Sequence, residues 1–211
     1  MLEKQKELVV EFSKKMLKRG LTRGTGGNIS VYDRESGLVA ISGSGIDYDR
    51  MTTSDIVITD LCGNIVEGTV KPSIELAMHL ACYRKREDIT AVVHTHSLYA
   101  TTIACTRQGI DSIHYLLGFA GGPVDCIPFY PIGTEELGGH VADALVEKNA
   151  VLLGNHGLVA VGHTLDFAFA AAEETEFVAE IYYRTKLLGG GQLLTPEEMA
   201  PMIQAAKGYV Q

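Results

Sequence analysis

No stretch of this sequence approaches the roughly eighteen consecutive apolar residues of a membrane-spanning helix, which argues against a membrane protein. The first segment, Met1 to Gly20, mixes Glu, Lys and apolar residues at helical spacing. It has no apolar h-region and no small-residue cleavage site, so it does not read as a signal peptide, and the cytoplasm is the expected location. Paired cysteines are missing too. Cys62, Cys82, Cys105 and Cys126 stand about twenty residues apart and form no CxxC. That excludes a zinc ribbon or a thioredoxin motif and leaves reduced thiols rather than a disulfide framework. An excess of basic charge is also absent: the net charge of −8 argues against broad nucleic-acid binding, while permitting a local pocket for an anion.

What is present is an ordinary globular composition, 46% hydrophobic and 21% charged. A chain of 211 residues buries enough surface to fold without staples, and with no repeat or linker in view it is expected to form one domain over residues 1–211. Leu8, Val9, Phe12, Met16 and Leu17 predict an amphipathic helix over Glu3 to Arg19 closed by Gly20. Three hairpins follow from apolar runs around turn residues: 29–32 with 38–42, 56–60 with 65–66, and 151–153 with 158–161. Pro72-Ser73 is expected to open a helix to about Lys85, Ala91 to Val93 to lead a strand, and Cys126 to Phe129 to form another. Thr134 and Thr164 cap predicted helices, the first to about Lys148 and the second stopped by Gly189-Gly190-Gly191. Thr195-Pro196-Glu197-Glu198 opens a last one. Strands joined by hairpins predict an α/β fold of the α+β type, with a mainly antiparallel central sheet and helices on its faces.

His94-Thr95-His96 is the sharpest local feature. On a strand, residues i and i+2 point the same way, so both imidazoles can reach one ion. The alternative is a pair of satisfied polar side chains. His156 sits in an Asn-His-Gly turn, where Gly157 is expected to take the positive φ. Glu75 falls in the first turn of the Pro72 helix, where a carboxylate suits the helix dipole. Three imidazoles and a carboxylate make a full zinc set, structural or catalytic. His79, one turn beyond Glu75, is a rival ligand that reads better as core or as support, and His114, His140 and His163 are not expected to bind metal. Three loops offer N–H and O–H groups to an anion: the Gly-rich 24–28, Ser42-Gly43-Ser44-Gly45, and Pro72-Ser73.

The stretches GTGGNIS (24–30), SGSGID (42–47), KPSIE (71–75), AVVHTHS (91–97), IHY (113–115) and LLGNHGLVA (152–160) together resemble the class II aldolase/adducin family. The resemblance implies a divalent metal, zinc or another, on Glu75, His94, His96 and His156. It places the substrate phosphate on Asn28, Ser44, Gly45 and Ser73, and makes Tyr115 a proton donor from a neighbouring subunit of a homotetramer. Tyr209 falls near a C-terminal tyrosine that closes over such sites. The implied reaction is reversible cleavage of a ketose 1-phosphate, L-fuculose 1-phosphate or a related short deoxyketose 1-phosphate, to dihydroxyacetone phosphate and a small aldehyde. Glu75 serves as base and no Schiff-base lysine is needed. Other members of the family are sugar-phosphate 4-epimerases, which carry Asp at the position of Glu75, decarboxylases, dehydratases and non-catalytic adducin-like scaffolds. One position departs from the pattern: the aldolases have Ser-Ser-Glu where this chain has Ser73-Ile74-Glu75, and a hydroxyl is lost.

Overall fold

The computed structural model describes residues 1–208, so Tyr209 lies outside the described residues. The three expected hairpins form as β1 (Asn28–Asp33) with β2 (Leu38–Ser42), β3 (Ile56–Asp60) with β4 (Ile65–Glu67), and β7 (Ala150–Leu153) with β8 (Gly157–Gly162). Strand β5 (Ala91–Thr95) enters between β1 and β8, and β6 (Cys126–Ile127) closes one edge. The result is an eight-stranded sheet in the order β4-β3-β2-β1-β5-β8-β7-β6. Its pairings are antiparallel apart from β6 on β7.

The sheet is buried on both faces, and its strands show why. In β5, β7 and β8 the alternate residues Ala91, Val93, Ala150, Leu152, Leu158 and Ala160 join one core, which α1 (Glu3–Lys18), α3 (Leu98–Ala104), α5 (Leu165–Leu187) and α6 (Pro196–Ala206) complete. The intervening Val92, Val151, Leu153, Val159 and Val161 join a second core under α2 (Leu76–Lys85) and α4 (Glu135–Ala144). A strand with apolar partners on both sides reads as a continuous apolar run rather than as an alternation. No helix among the described residues is long and apolar enough to cross a membrane.

Four local expectations need correction. Helix α2 starts at Leu76, not at Pro72. Pro72 bridges to Gly43, and the Ser73 N–H donates to the Ser42 carbonyl at 3.0 Å, so residues 71–73 prolong the sheet before the helix begins. Helix α4 ends at Ala144 instead of Lys148, because the Leu145 and Lys148 carbonyls turn to the Arg86 guanidinium at 2.9 and 2.6 Å. Strand β6 stops at Ile127, since Pro128 has no N–H to extend the ladder. Helix α3 has no counterpart in the sequence pattern. Its opening N–H groups, those of Tyr99 and Ala100, donate at 2.8 Å each to the Glu176 carboxylate of α5, a cap delivered from far along the chain.

Helices α1 and α5 meet through Phe12 and Phe169, edge to face at 5.2 Å between centroids. Phe169 is buried, so Phe169→Ala is expected to cost about 3–5 kcal/mol. Urea unfolding checks this: the midpoint should fall with an unchanged slope, and an unchanged midpoint would contradict the packing described.

Candidate metal centre and substrate cavity

His94 lies on β5 with the same parity as Val92, and so faces the side of the sheet that α2 covers. Its Nδ1 donates to the Leu158 carbonyl at 2.9 Å. That bond fixes the ring and leaves the Nε2 lone pair pointing away from the strand. His96 falls just past the end of β5, yet its Nε2 stands 3.0 Å from that of His94. Opposite, Glu75 is the N-cap residue of α2. Its Oε2 lies 3.2 Å from His94 Nε2 and its Oε1 3.3 Å from His156 Nε2. One ligand atom from each of Glu75, His94, His96 and His156 falls within a cluster whose members are all within 4.8 Å of one another.

The turn that aims His156 works differently from the sequence expectation. Asn155 takes the positive φ of 57°, and Gly157 does not. Asn tolerates the left-handed region well, and here its Oδ1 also accepts from Arg107 Nε at 2.9 Å. Gly157 is needed for closeness instead: a Cβ there would stand 2.4 Å from the Thr95 carbonyl and 2.9 Å from His96 Cδ2. The same holds for the Gly-rich loop. A Cβ on Gly26 would sit 2.7 Å from His96 Nδ1, and one on Gly27 2.5 Å from the His94 carbonyl. The Tyr48 hydroxyl then ties the Gly27 carbonyl at 2.5 Å. These glycines let the loop lie directly on the histidine strand.

The electrostatics of the cluster favour a positive charge beside Glu75. Burial and then the charge on His94 push the pKa values of His96 and His156 down to about 4, so both rings are neutral near pH 7. Burial also works against a charged His94, but the Glu75 carboxylate outweighs it and holds that pKa above the ordinary value. For Glu75, burial opposes ionisation. The neighbouring His94, then His156 and the Asn28 amide, outweigh it and keep the carboxyl well below its usual range. The cluster thus holds its carboxylate and accommodates positive charge among neutral rings. Glu75 Oε1 and His156 Nδ1 are buried without a hydrogen-bond partner among the described residues. Three Nε2 atoms and a carboxylate oxygen with no other partner, converging in a largely buried cluster, fit a divalent metal ion.

A cavity of about 240 Å³ opens onto this cluster. Asn28, Ser44, Gly45 and Ser73 all line it together with Glu75, His96 and His156, so the three loops converge on one space. The donors they offer are more restricted than the sequence suggests. The Ser44 N–H is taken by the Lys71 carbonyl at 2.9 Å and that of Ser73 by Ser42. The Ser73 hydroxyl accepts from the Glu75 N–H at 3.2 Å and keeps its own hydrogen to donate. Thr25 and Ile132 also line the cavity and were not singled out from the sequence. The signal for Ile132 is Gly133 beside it, whose Cβ would lie 2.8 Å from the Ile74 carbonyl and so marks where two loops touch.

Tyr115 stands apart. It opens a 3-10 turn (Tyr115–Gly118), is half exposed, and does not line this cavity. His79 is fully buried outside the ligand cluster, hydrogen-bonded to Asn28 and Ser30. His114 accepts from the Leu116 N–H, His140 stacks on Tyr130 at 4.2 Å, and His163 lies against Phe167. Among the described residues none of these three joins a metal-binding group.

Since Gly157 leaves no room for a methyl group between the Thr95 carbonyl and the His96 ring, Gly157→Ala is expected to displace both His156 and His96. Metal affinity should fall about tenfold or more, the scale seen when groups that hold a ligand are disturbed. Metal analysis after dialysis against a weak chelator measures it, and an unchanged affinity would contradict the close approach.

The chain matches the class II aldolase and adducin N-terminal domain over residues 7–183. It is 48% identical to the 5-deoxy-D-ribulose 1-phosphate aldolase of Bacillus thuringiensis serovar kurstaki, over 100% of this chain and 99% of that one. It is 37% identical to the L-fuculose phosphate aldolase of Escherichia coli strain K12, over 95% and 93%. A solved L-fuculose 1-phosphate aldolase superposes with a TM-score of 0.95 at 42% identity, covering 98% of both chains. The chain therefore belongs to the class II aldolase and adducin family and is an enzyme of the aldolase type.

Proposed function

We propose that this enzyme is a zinc-dependent aldolase that reversibly cleaves a ketose 1-phosphate to dihydroxyacetone phosphate and a small aldehyde, working in the cytoplasm as a homotetramer. The observation that carries the reading is the position of Glu75: one carboxylate faces the imidazole cluster and lines the same cavity as the loop hydroxyls. A phosphorylated substrate whose phosphate lies on Asn28, Ser44, Gly45 and Ser73 would bring its neighbouring ketone toward His96, His156 and Glu75. Ile74 forgoes a side-chain hydroxyl at this end, but its backbone N–H, like that of Gly45, has no acceptor among the described residues and remains available.

Glu75, His94, His96 and His156 would hold the ion, which supplies a Lewis acid for the negative charge gathering on the ketone oxygen. In the cleavage direction the C4 hydroxyl loses its proton, the C3–C4 bond breaks, and the aldehyde leaves. The carbanion left at C3 takes a proton and becomes dihydroxyacetone phosphate. Glu75 is the group placed to give that proton, and in synthesis to remove it. Tyr115 takes the C4 hydroxyl proton in cleavage and returns it in synthesis. Its exposure, away from the cavity of its own chain, supports its acting across a subunit contact. Tyr209 is assigned to closing the site.

Glu75→Gln removes the proton-transfer group and leaves three imidazoles and an amide oxygen. Turnover should fall about 100- to 10,000-fold while metal analysis still finds bound ion. Full activity would remove Glu75 as base. Chelation should abolish turnover of the unmodified enzyme, with recovery on adding zinc.

Ile74 and Ile132 give one side of the cavity an apolar character, both side chains being more than one-third exposed. Such a rim suits a substrate ending in a methyl group. Named relatives act on 5-deoxyribulose 1-phosphate and on L-fuculose phosphate, and both sugars end that way. Assayed side by side, 5-deoxyribulose 1-phosphate and L-fuculose 1-phosphate should show higher kcat/KM than ribulose 1-phosphate. A preference for ribulose 1-phosphate would contradict this assignment.

A further inference from the structure

Strand β1 and the start of α2 face each other across a buried seam that is polar where the rest of that layer is apolar. On β1, Asn28 and Ser30 share a face, being two residues apart. On the α2 side, Glu75, His79 and Tyr83 recur every fourth residue, one above the other. All five are buried. Polar groups in such a place must satisfy one another, and these form a chain. Glu75 Oε2 accepts from Asn28 Nδ2 at 2.8 Å. Asn28 Oδ1 lies 2.5 Å from His79 Nε2. His79 Nδ1 lies 2.7 Å from Ser30 Oγ, which is 2.7 Å from the Tyr83 hydroxyl. The single Tyr83 hydrogen is shared between the Ser30 hydroxyl and the Ser30 carbonyl, the latter at 3.0 Å.

With the His79 ring neutral, the chemistry of Glu75, Asn28 and His79 allows one arrangement of hydrogens. An ionised carboxylate only accepts, so the Asn28 NH₂ must face Glu75. The Asn28 carbonyl oxygen must then receive its hydrogen from His79 Nε2. That leaves Nδ1 as an acceptor, and the Ser30 hydroxyl fills it. Burial pushes the His79 pKa down to about 3, in keeping with the neutral ring this arrangement needs.

We propose that His79 is a positioning residue for the reaction: by donating from Nε2 to Asn28 it locks the amide with its NH₂ on Glu75, and so keeps the carboxylate aimed at the cluster and the cavity. Without that donor the amide is free to turn its oxygen toward Glu75, setting two acceptors against each other. The same amide lines the cavity, so one ring holds a group at both the phosphate end and the proton-transfer end. This inference rests on the reading of Glu75 as the base.

The test uses the metal-loaded enzyme. Nitrogen-15 NMR of histidine-labelled protein should show His79 neutral with its hydrogen on Nε2 near pH 7. A charged ring or the Nδ1–H form would overturn the proposal. His79→Leu should lower kcat about 10- to 100-fold with metal content unchanged, and His79→Gln, which keeps an N–H for Asn28, should recover most of that loss. A ring that merely fills space would lose activity in step with thermal stability in both variants. Because His79 acts through Asn28, His79→Leu should cost nothing further in an Asn28→Ala background, whereas additive losses would overturn the role. Ser30→Ala, a smaller lesion that strips Nδ1 of its donor, serves in the same cycle with the same two readings should His79→Leu not fold. Glu75→Gln measured alongside separates the two claims. A fully active Glu75→Gln removes the base reading. An inactive one, together with additive His79 and Asn28 losses, removes only the positioning role.

Discussion

Four electron-pair donors aimed at one another in a place that water scarcely reaches form an arrangement that only a positive charge can stabilise. In this protein those donors are the Nε2 atoms of three histidines and the carboxylate of Glu75, held within 4.8 Å of one another. Much of the surrounding architecture answers to that constraint. The Leu158 carbonyl orients His94, the Asn155 turn directs His156, and glycines at positions 26, 27 and 157 let loop and strand backbones close to contact distance. The cost of gathering like-natured acceptors would be offset by a bound cation, while the Leu158 carbonyl holds the His94 ring from its far side.

The sheet supplies the register that makes this convergence possible. Asn28 pairs directly with His94 across the β1–β5 ladder, and Val159 pairs with His94 on the other side. A one-residue slip in either ladder would turn His94 to the opposite face of the sheet. The apolar alternation of Ala91, Val92 and Val93 into two separate cores resists such a slip. Core packing and site geometry are therefore the same restraint: the hydrophobic pattern that holds β5 in place also decides which way its histidine points. The cavity follows, since the loops after β2 and before β1 end at the level of His94 and His96.

What the sequence revealed and what it withheld have distinct physical causes. Hairpins, long helices and the capped start of α6 were legible because their signals are local: apolar periodicity, turn residues, and a Thr195–Glu198 capping box that forms as expected. The histidine spacing likewise announced a shared face. Helix α3 was not legible because its cap is Glu176, on another helix. The start of α2 was misplaced because Pro72 and Ser73, ordinary helix openers, are recruited as an extension of β2 by tertiary hydrogen bonds. At Gly157 the small size matters and the φ does not, a distinction that the Asn-His-Gly pattern alone does not carry. The part played by His79 was invisible for the same kind of reason, since it depends on β1 and α2 lying face to face.

The position of the bound metal ion decides whether Glu75, His94, His96 and His156 form the working site. Crystals of the zinc-loaded enzyme, measured on both sides of the zinc absorption edge, give an anomalous difference map that locates the ion without reference to any assumed site. One strong peak per chain is expected, bonded by Nε2 of His94, His96 and His156 and by Glu75, beside the cavity lined by Asn28, Ser44 and Ser73. A peak elsewhere, or a fully active enzyme with no peak at these four side chains, would contradict this assignment.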